Sequence, residues 1–376
     1  MVAQVENINP DILRQCREQI GLAYADVEKK IKKIVSIEEG KQKPTFNQLN
    51  TLAELYNVPR WVFISEFLPE QYQFNKAVPS FRQFAHDRAE LFSNHKVRSL
   101  TARVETFRSL ILELRDDMRE PVAQFLPPEI QNNDIPETIA KKVRAWLGAE
   151  ENLDFHKWKE KLEEKDIFVF LTSKYKGWSH IDKTLFRGLA IYHSSLPIII
   201  INDSDSKKAQ SFTLFHELGH LLRGESAIDD WDDHHQKVEK WCDELAGNIL
   251  MPAKPFFAAA YDANDLDVIK RIAKAFKVST YACLVRLRQL QIIDLTTYLE
   301  FEVQLKEEYA RMQKKLKESS GGPARNRPQE ALNQYGHVYA RALFQAYHNQ
   351  EIGLHKLSQA FDLKRASYVL EVDNKL

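Results

Sequence analysis

Cysteine is scarce in this chain. Cys16, Cys242 and Cys283 stand far apart among 376 residues and form no CxxC pair. That argues against a disulfide scaffold or a cysteine zinc cluster, and the expected compartment is the reducing cytoplasm. Net charge is missing as well. The 53 basic residues balance 53 acidic ones, so the whole chain is not built to coat a polyanion, although a local basic face stays open. Long apolar runs are absent. Runs such as LPIIII at residues 196–201 are far below the roughly 20 residues a membrane helix needs, so no membrane partner is expected. The N-terminal MVAQVENINP lacks a charged segment followed by an apolar one, so no secretory signal is expected. No internal repeat of fixed period is visible. What remains, 44% hydrophobic and 28% charged residues, is ordinary for a globular protein of about two or three domains.

Helical periodicity dominates both ends. Residues 11–20 place Ile12, Leu13, Cys16 and Ile20 at helical spacing, and Gly21 can end that helix. A second amphipathic stretch covers 23–35. Thr45 can cap a third helix carrying Leu49, Leu52, Leu55 and Tyr56. Residues 70–90 are polar and aromatic without a period and read as a linker. Helices are expected near 90–118, 135–148 and 154–164, with prolines between the first two marking irregular chain. The texture then changes to β-rich runs at 167–171, 186–193 and 197–201. After the turn cluster at 202–205, Ser206 can cap the helix SKKAQSFTLFHELGHLL. A helix over VEKWCDELAGNIL ends at Pro252, a helix pair follows at 265–293, and SSGGPARNRP at 319–328 has linker composition. Two or more helices close the chain.

The strongest chemical signal is HELGH, His216 to His220. Residues i and i+4 of an α-helix lie about 40° apart around the axis and one turn along it, so both imidazoles point the same way and can hold one ion. Glu217 sits beside them, placed to hold a metal-bound water and take its proton. Twelve histidines make a chance HExxH conceivable, so the flanks must carry the argument. Phe212, Leu214, Phe215, Leu218, Leu221 and Leu222 surround the motif and bury its helix, and buried histidines need partners. Gly219 costs helix propensity, which close packing or ligand access would explain.

A catalytic zinc site needs a third protein ligand and one open position. Glu239 opens the next expected helix, and Asp243, at i+4, shares its face and can fix a histidine tautomer by hydrogen bonding. Asp229, Asp230, Asp232, Asp233 and Glu244 compete for the ligand role, and so do His234 and His235, which read as loop residues. Two imidazoles and a carboxylate suit Zn2+. Arg187, Tyr192 and His193 are open candidates for stabilising an oxyanion. The strand at 197–201 reads as an edge able to pair with extended substrate.

FTLFHELGHLL followed by VEKWCDELAGNILMP resembles the ImmA/IrrE metallopeptidases. Their second helix carries E-x-x-C-N-x-F-A-x-x-L-L-M-P, on which Glu239, Cys242, Ala246, Leu250, Met251 and Pro252 fall. Asp243 stands where the family has Asn, and Leu245 where it has Phe. The resemblance implies zinc, a gluzincin-like fold and limited proteolysis of regulatory proteins. Near the N-terminus, IEEGK at 37–41, Pro44-Thr45 and residues 49–58 resemble a Cro/CI-type (Xre-like) helix–turn–helix. Residues 21–40 there fall about four short of the family's span, in the turn before the reading helix. Lys29, Lys30, Lys32 and Lys33 can meet phosphates or simply face solvent.

The expected fold is α+β and mostly helical. It comprises a gluzincin-like zinc peptidase core with a small sheet of three or more strands, flanked by helical N- and C-terminal domains. The expected boundaries are 1–70 for a shortened Xre-like domain and 71–153 for a helical linker or docking region. Residues 154–300 form the metallopeptidase domain and 301–376 a helical C-terminal extension. The expected activity is a zinc endopeptidase acting on a repressor or antitoxin-type protein, with DNA a candidate partner of the N-terminal domain, whose alternative reading is a helical protein-docking module. The competing expectation is a DNA-binding regulator or antitoxin-like protein whose zinc site is structural, sensory or vestigial.

Overall fold

A computed structural model of the chain describes residues 4–69, 72–73, 95–131, 134–173, 180–181, 187–224, 231–318 and 325–376, with side chains left undescribed at 231–236 and 312–318. Most of the linker expected at 70–90, the glycine-rich part of the linker at 319–328, Phe186, Asp229 and Asp230 lie outside the described residues. Among the described residues no helix is long and apolar enough to cross a membrane. The chain divides into two compact units, residues 1–113 with 175–181, and residues 114–174 with 182–376.

The first unit is helical. Helix α1 (Pro10–Gln19) is capped by the Asn9 side chain, α2 spans Tyr24–Glu28, α3 Ile34–Glu38 and α4 Phe46–Tyr56. Thr45 caps α4 through a reciprocal box with Gln48, as its sequence implied. The single helix expected over 23–35 is instead split into α2 and α3. Lys29, Lys30, Lys32 and Lys33 would meet one another at i,i+3 and i,i+4 on a continuous helix, which like charges disfavour. The chain turns there, with Lys33 left-handed at φ +71°. Ile12, Leu13, Val27, Ile34, Ile37 and Leu52 form the core. Inside it Arg17 Nε donates to both Glu38 carboxylate oxygens at 3.0 Å, and Tyr56 donates to Glu38 at 3.3 Å.

Helix α5 (His95–Asp117) is followed by irregular chain, then by α6 (Pro136–Trp146) and α7 (Phe155–Glu163). Strands β1 (Phe168–Leu171), β2 (Gly188–Ile191) and β3 (Ile198–Ile201) form a three-stranded sheet in the order β1-β3-β2. β3 pairs parallel with β1 and antiparallel with β2. The strand at 197–201 is therefore central, and the expectation that it offers an edge is corrected. Both its edges are taken by ladder hydrogen bonds, because β2 returns antiparallel beside it. Among the described residues, the edge strand on that side is β2.

Successive residues of a strand face opposite sides of the sheet. Val169, Leu171, Ala190, Ile199 and Ile201 join a core with Leu214, Phe215 and Leu218 of the motif helix. Phe168 and Phe170 face the other way and meet the Tyr339 ring, with centroids 6.4 and 5.9 Å apart. A sheet covered on both faces selects continuous apolar runs, which explains the four consecutive isoleucines of β3.

The motif helix is α8 (Lys207–Arg223), and Ser206 Oγ caps it by accepting from the Ala209 N–H at 3.3 Å. Next comes α9 (Trp231–Leu250). It begins earlier than its apolar pattern suggests, so Glu239 lies inside it, and His234 and His235 are helical, not loop, residues. Acidic residues at 232 and 233 in its first turn complement the helix dipole and favour a start there. Helices α10 (Ala253–Ala259), α11 (Leu266–Ala275), α12 (Thr280–Gln289) and α13 (Leu295–Glu318) follow. Four more, α14 (Arg327–Tyr335), α15 (His337–His348), α16 (Leu354–Ala360) and α17 (Ala366–Asp373), complete the chain. Tyr339 belongs to α15, so the C-terminal helices supply the second cover of the sheet. The result is an α+β unit in which helix predominates.

Candidate metal centre

Helix α8 is anchored from below by its apolar residues. The Phe215 ring meets Trp158 of α7 edge-on at 4.8 Å, and Leu214 and Leu218 are fully buried. This leaves His216 and His220 on the remaining face, with their Nε2 atoms 3.2 Å apart. Helix α9 is held from two other sides. Arg144 of α6 donates to the Ile249 carbonyl at 2.8 Å, and Arg286 of α12 donates to Asn248 Oδ1 at 2.6 Å. So fixed, α9 brings Glu239 Oε2 to 3.1 Å from His216 Nε2 and Oε1 to 3.3 Å from His220 Nε2. Among the described residues, His216, His220 and Glu239 form the one group whose potential ligand atoms could hold a metal ion.

The geometry fits zinc. Nitrogen and oxygen ligands about 2.0–2.1 Å from a tetrahedral zinc stand about 3.3–3.4 Å apart, close to the three separations found here. Asp243 Oδ1 lies 2.8 Å from His216 Nδ1. A hydrogen bond there leaves Nε2 as the free lone pair and turns it toward Glu239. Burial opposes a charge on His216, but hydrogen bonds to Asp243 and Glu239, with the charge of Glu217, outweigh it, and the pKa is pushed up to about 10. Without metal, then, a proton occupies the place a divalent cation would take.

Glu217 is buried, 3% exposed, and its carboxylate faces β2. A Cβ on Gly188 would stand 2.8 Å from Glu217 Oε1 and 2.4 Å from Thr213 Cγ2. The edge strand thus passes against the motif helix only because residue 188 has no side chain. Sequence reading did not single out Gly188. An isolated glycine in a strand pattern was the available signal, since it marks close approach of another group.

Among the described candidates, the remaining residues have other surroundings. Glu244 faces Lys240 at 3.9 Å, around the helix from Glu239. Asp232, Asp233, His234 and His235 lie in the first turns of α9, before Glu239. Arg187 is exposed and accepts the Asn202 N–H through its carbonyl at 2.9 Å. Tyr192 packs on Phe125, centroids 6.4 Å apart, beside Gly224 at the C-terminal end of α8. His193 is half-buried.

Residues 163–288 match the Peptidase M78 family model, an IrrE N-terminal-like domain. The matched span contains the sheet, α8 and α9, and supports both the ImmA/IrrE resemblance and a metallopeptidase-type segment. No curated protein matches the chain. The IrrE-like segment ends within α12, so α13 to α17 lie outside it, as do residues 1–113 of the first unit.

Proposed function

We propose that this chain is a zinc-dependent endopeptidase with His216, His220 and Glu239 as metal ligands. The observation that carries the reading is the convergence of these three side chains, from two consecutive helices, at separations suited to one tetrahedral ion. Zinc held there supplies Lewis acidity to a scissile carbonyl. Glu217 is the general base. One of its carboxylate oxygens takes a proton from the attacking water and delivers it to the leaving amine. Asp243 holds the His216 imidazole in the ligating tautomer. The edge strand β2, beside Glu217, offers backbone groups to an extended substrate.

The substrate class proposed is a regulatory protein of repressor or antitoxin type, which rests on the ImmA/IrrE resemblance. The first unit is proposed to dock protein. Its α3 has only five residues and buries Ile34, Ile37 and Glu38, which leaves little of a reading helix to enter a DNA groove.

The test uses Glu217→Gln. The purified variant should bind one zinc like the wild type and lose cleavage of proteins encoded beside its gene, by about a hundredfold or more. Equal cleavage by variant and wild type would refute the mechanism. A closed fourth coordination position, seen by X-ray absorption, would favour a structural or sensory site.

A further inference from the structure

Helices α8 and α9 come very close at Gly219 and Cys242. A Cβ on Gly219 would stand 2.9 Å from Cys242 Sγ, 3.2 Å from its Cβ and 3.3 Å from its Cα. The last atom is backbone, so rotating the cysteine side chain cannot make full room. Cys242 is completely buried, at 0% exposure.

Both residues lie beside the metal ligands. Gly219 follows His216 by three positions and precedes His220 by one. Cys242 follows Glu239 by three and precedes Asp243 by one. Residues three apart on a helix differ by about 60° around the axis. The notch therefore sits on the flank of each helix next to its ligand face, and the distance between the helices there fixes the distance between the ligand faces.

We infer that Gly219 is a positioning residue for the metal site: its missing side chain sets the α8–α9 separation that lets Glu239 reach both imidazoles. This rests on the ligand set proposed above. Glu239 spans 3.1 Å to His216 and 3.3 Å to His220 from a helix pinned at Ile249 and Asn248. Metal sites tolerate ligand displacements of only about 0.2 Å. A methyl group in the notch, 2.9 Å from Sγ and 3.3 Å from a backbone atom, demands at least that much.

The experiment compares full-length wild type, Gly219→Ala, and the swap Gly219→Ala/Cys242→Gly. Zinc affinity is read by competition with a chromophoric chelator, and metal-free stability by thermal unfolding in chelator. Gly219→Ala should bind zinc about ten- to a hundredfold more weakly, the range seen when the supports of metal ligands are removed. The swap clears Sγ and Cβ from the notch and should recover most of that affinity, whatever its melting temperature. Wild-type affinity in Gly219→Ala would overturn the inference. So would affinity that merely follows melting temperature, with no recovery in the swap. Should Gly219→Ala not fold, Cys242→Val crowds the same notch from α9 while keeping the glycine, and unchanged affinity there would count against the inference equally. Wild type that takes up no zinc would instead remove the ligand set itself, a failure visible before any substitution is made.

Discussion

At the scale of single residues, His216 is held at both ring nitrogens. Its Nδ1 meets Asp243 at 2.8 Å and its Nε2 meets Glu239 at 3.1 Å. With a metal-free pKa of about 10, it carries a proton at neutral pH that an incoming cation must expel. Zinc titrated by calorimetry at pH 7–8, in buffers of different ionisation enthalpy, should release about one proton per ion. No proton release would contradict the assigned environment. The stability sign follows from the same shift. The folded pKa lies above the unfolded value of about 6.5, so this stabilisation is complete below about 6.5 and is lost as pH rises toward about 10. The metal-free protein should accordingly melt lower at pH 9.5 than at pH 7, by an amount that zinc abolishes. The HExxH residues themselves were legible in the sequence, because i,i+4 spacing on a helix is local geometry and needs no partner element.

At the scale of elements, β2 and α8 lie so close that Gly188 cannot bear a side chain without pressing on Glu217 and Thr213. Gly188→Ala should keep zinc, since it touches no ligand. It should lower cleavage by about tenfold or more, because a displacement near 1 Å at a catalytic group is enough for that. Zinc content together with turnover on one preparation checks it, and a variant as active as wild type would show that Glu217 has room to spare. This contact was hidden in the sequence, as was the central place of β3. Four buried isoleucines announce a strand, but which neighbours it takes depends on β1 and β2, far away along the chain. The start of α9 was hidden for another reason. Its first turns are polar and acidic and carry no apolar period, so they read as loop although the helix dipole welcomes them.

At the scale of the whole molecule, the second unit is more than its IrrE-like segment. Tyr339, from α15, closes the sheet face formed by Phe168 and Phe170, and is itself fully buried at 0%. Glu163 of α7 strengthens this docking by accepting from the His337 N–H at 3.0 Å and pairing with Lys159 at 2.5 Å. Tyr339→Ala should destabilise the protein by about 3–5 kcal/mol, the usual cost of removing a large buried aromatic side chain. Urea unfolding measures it, and a loss under about 1 kcal/mol would mean that the C-terminal helices only rest on the sheet.

The sequence alone marked most of the helices and the strands, the paired histidines with their glutamate, and Glu239 with Asp243 as candidates on one face among several acidic competitors. These follow from periodicity and capping, which act within a few residues. Only the tertiary structure decided that Glu239 meets both imidazoles and that β2 forms the edge beside Glu217. It alone showed that residues beyond the IrrE-like segment complete the sheet's core. Those outcomes depend on how closely separate elements pack, and that distance is set by the shapes of side chains that are neighbours in space but not in the chain.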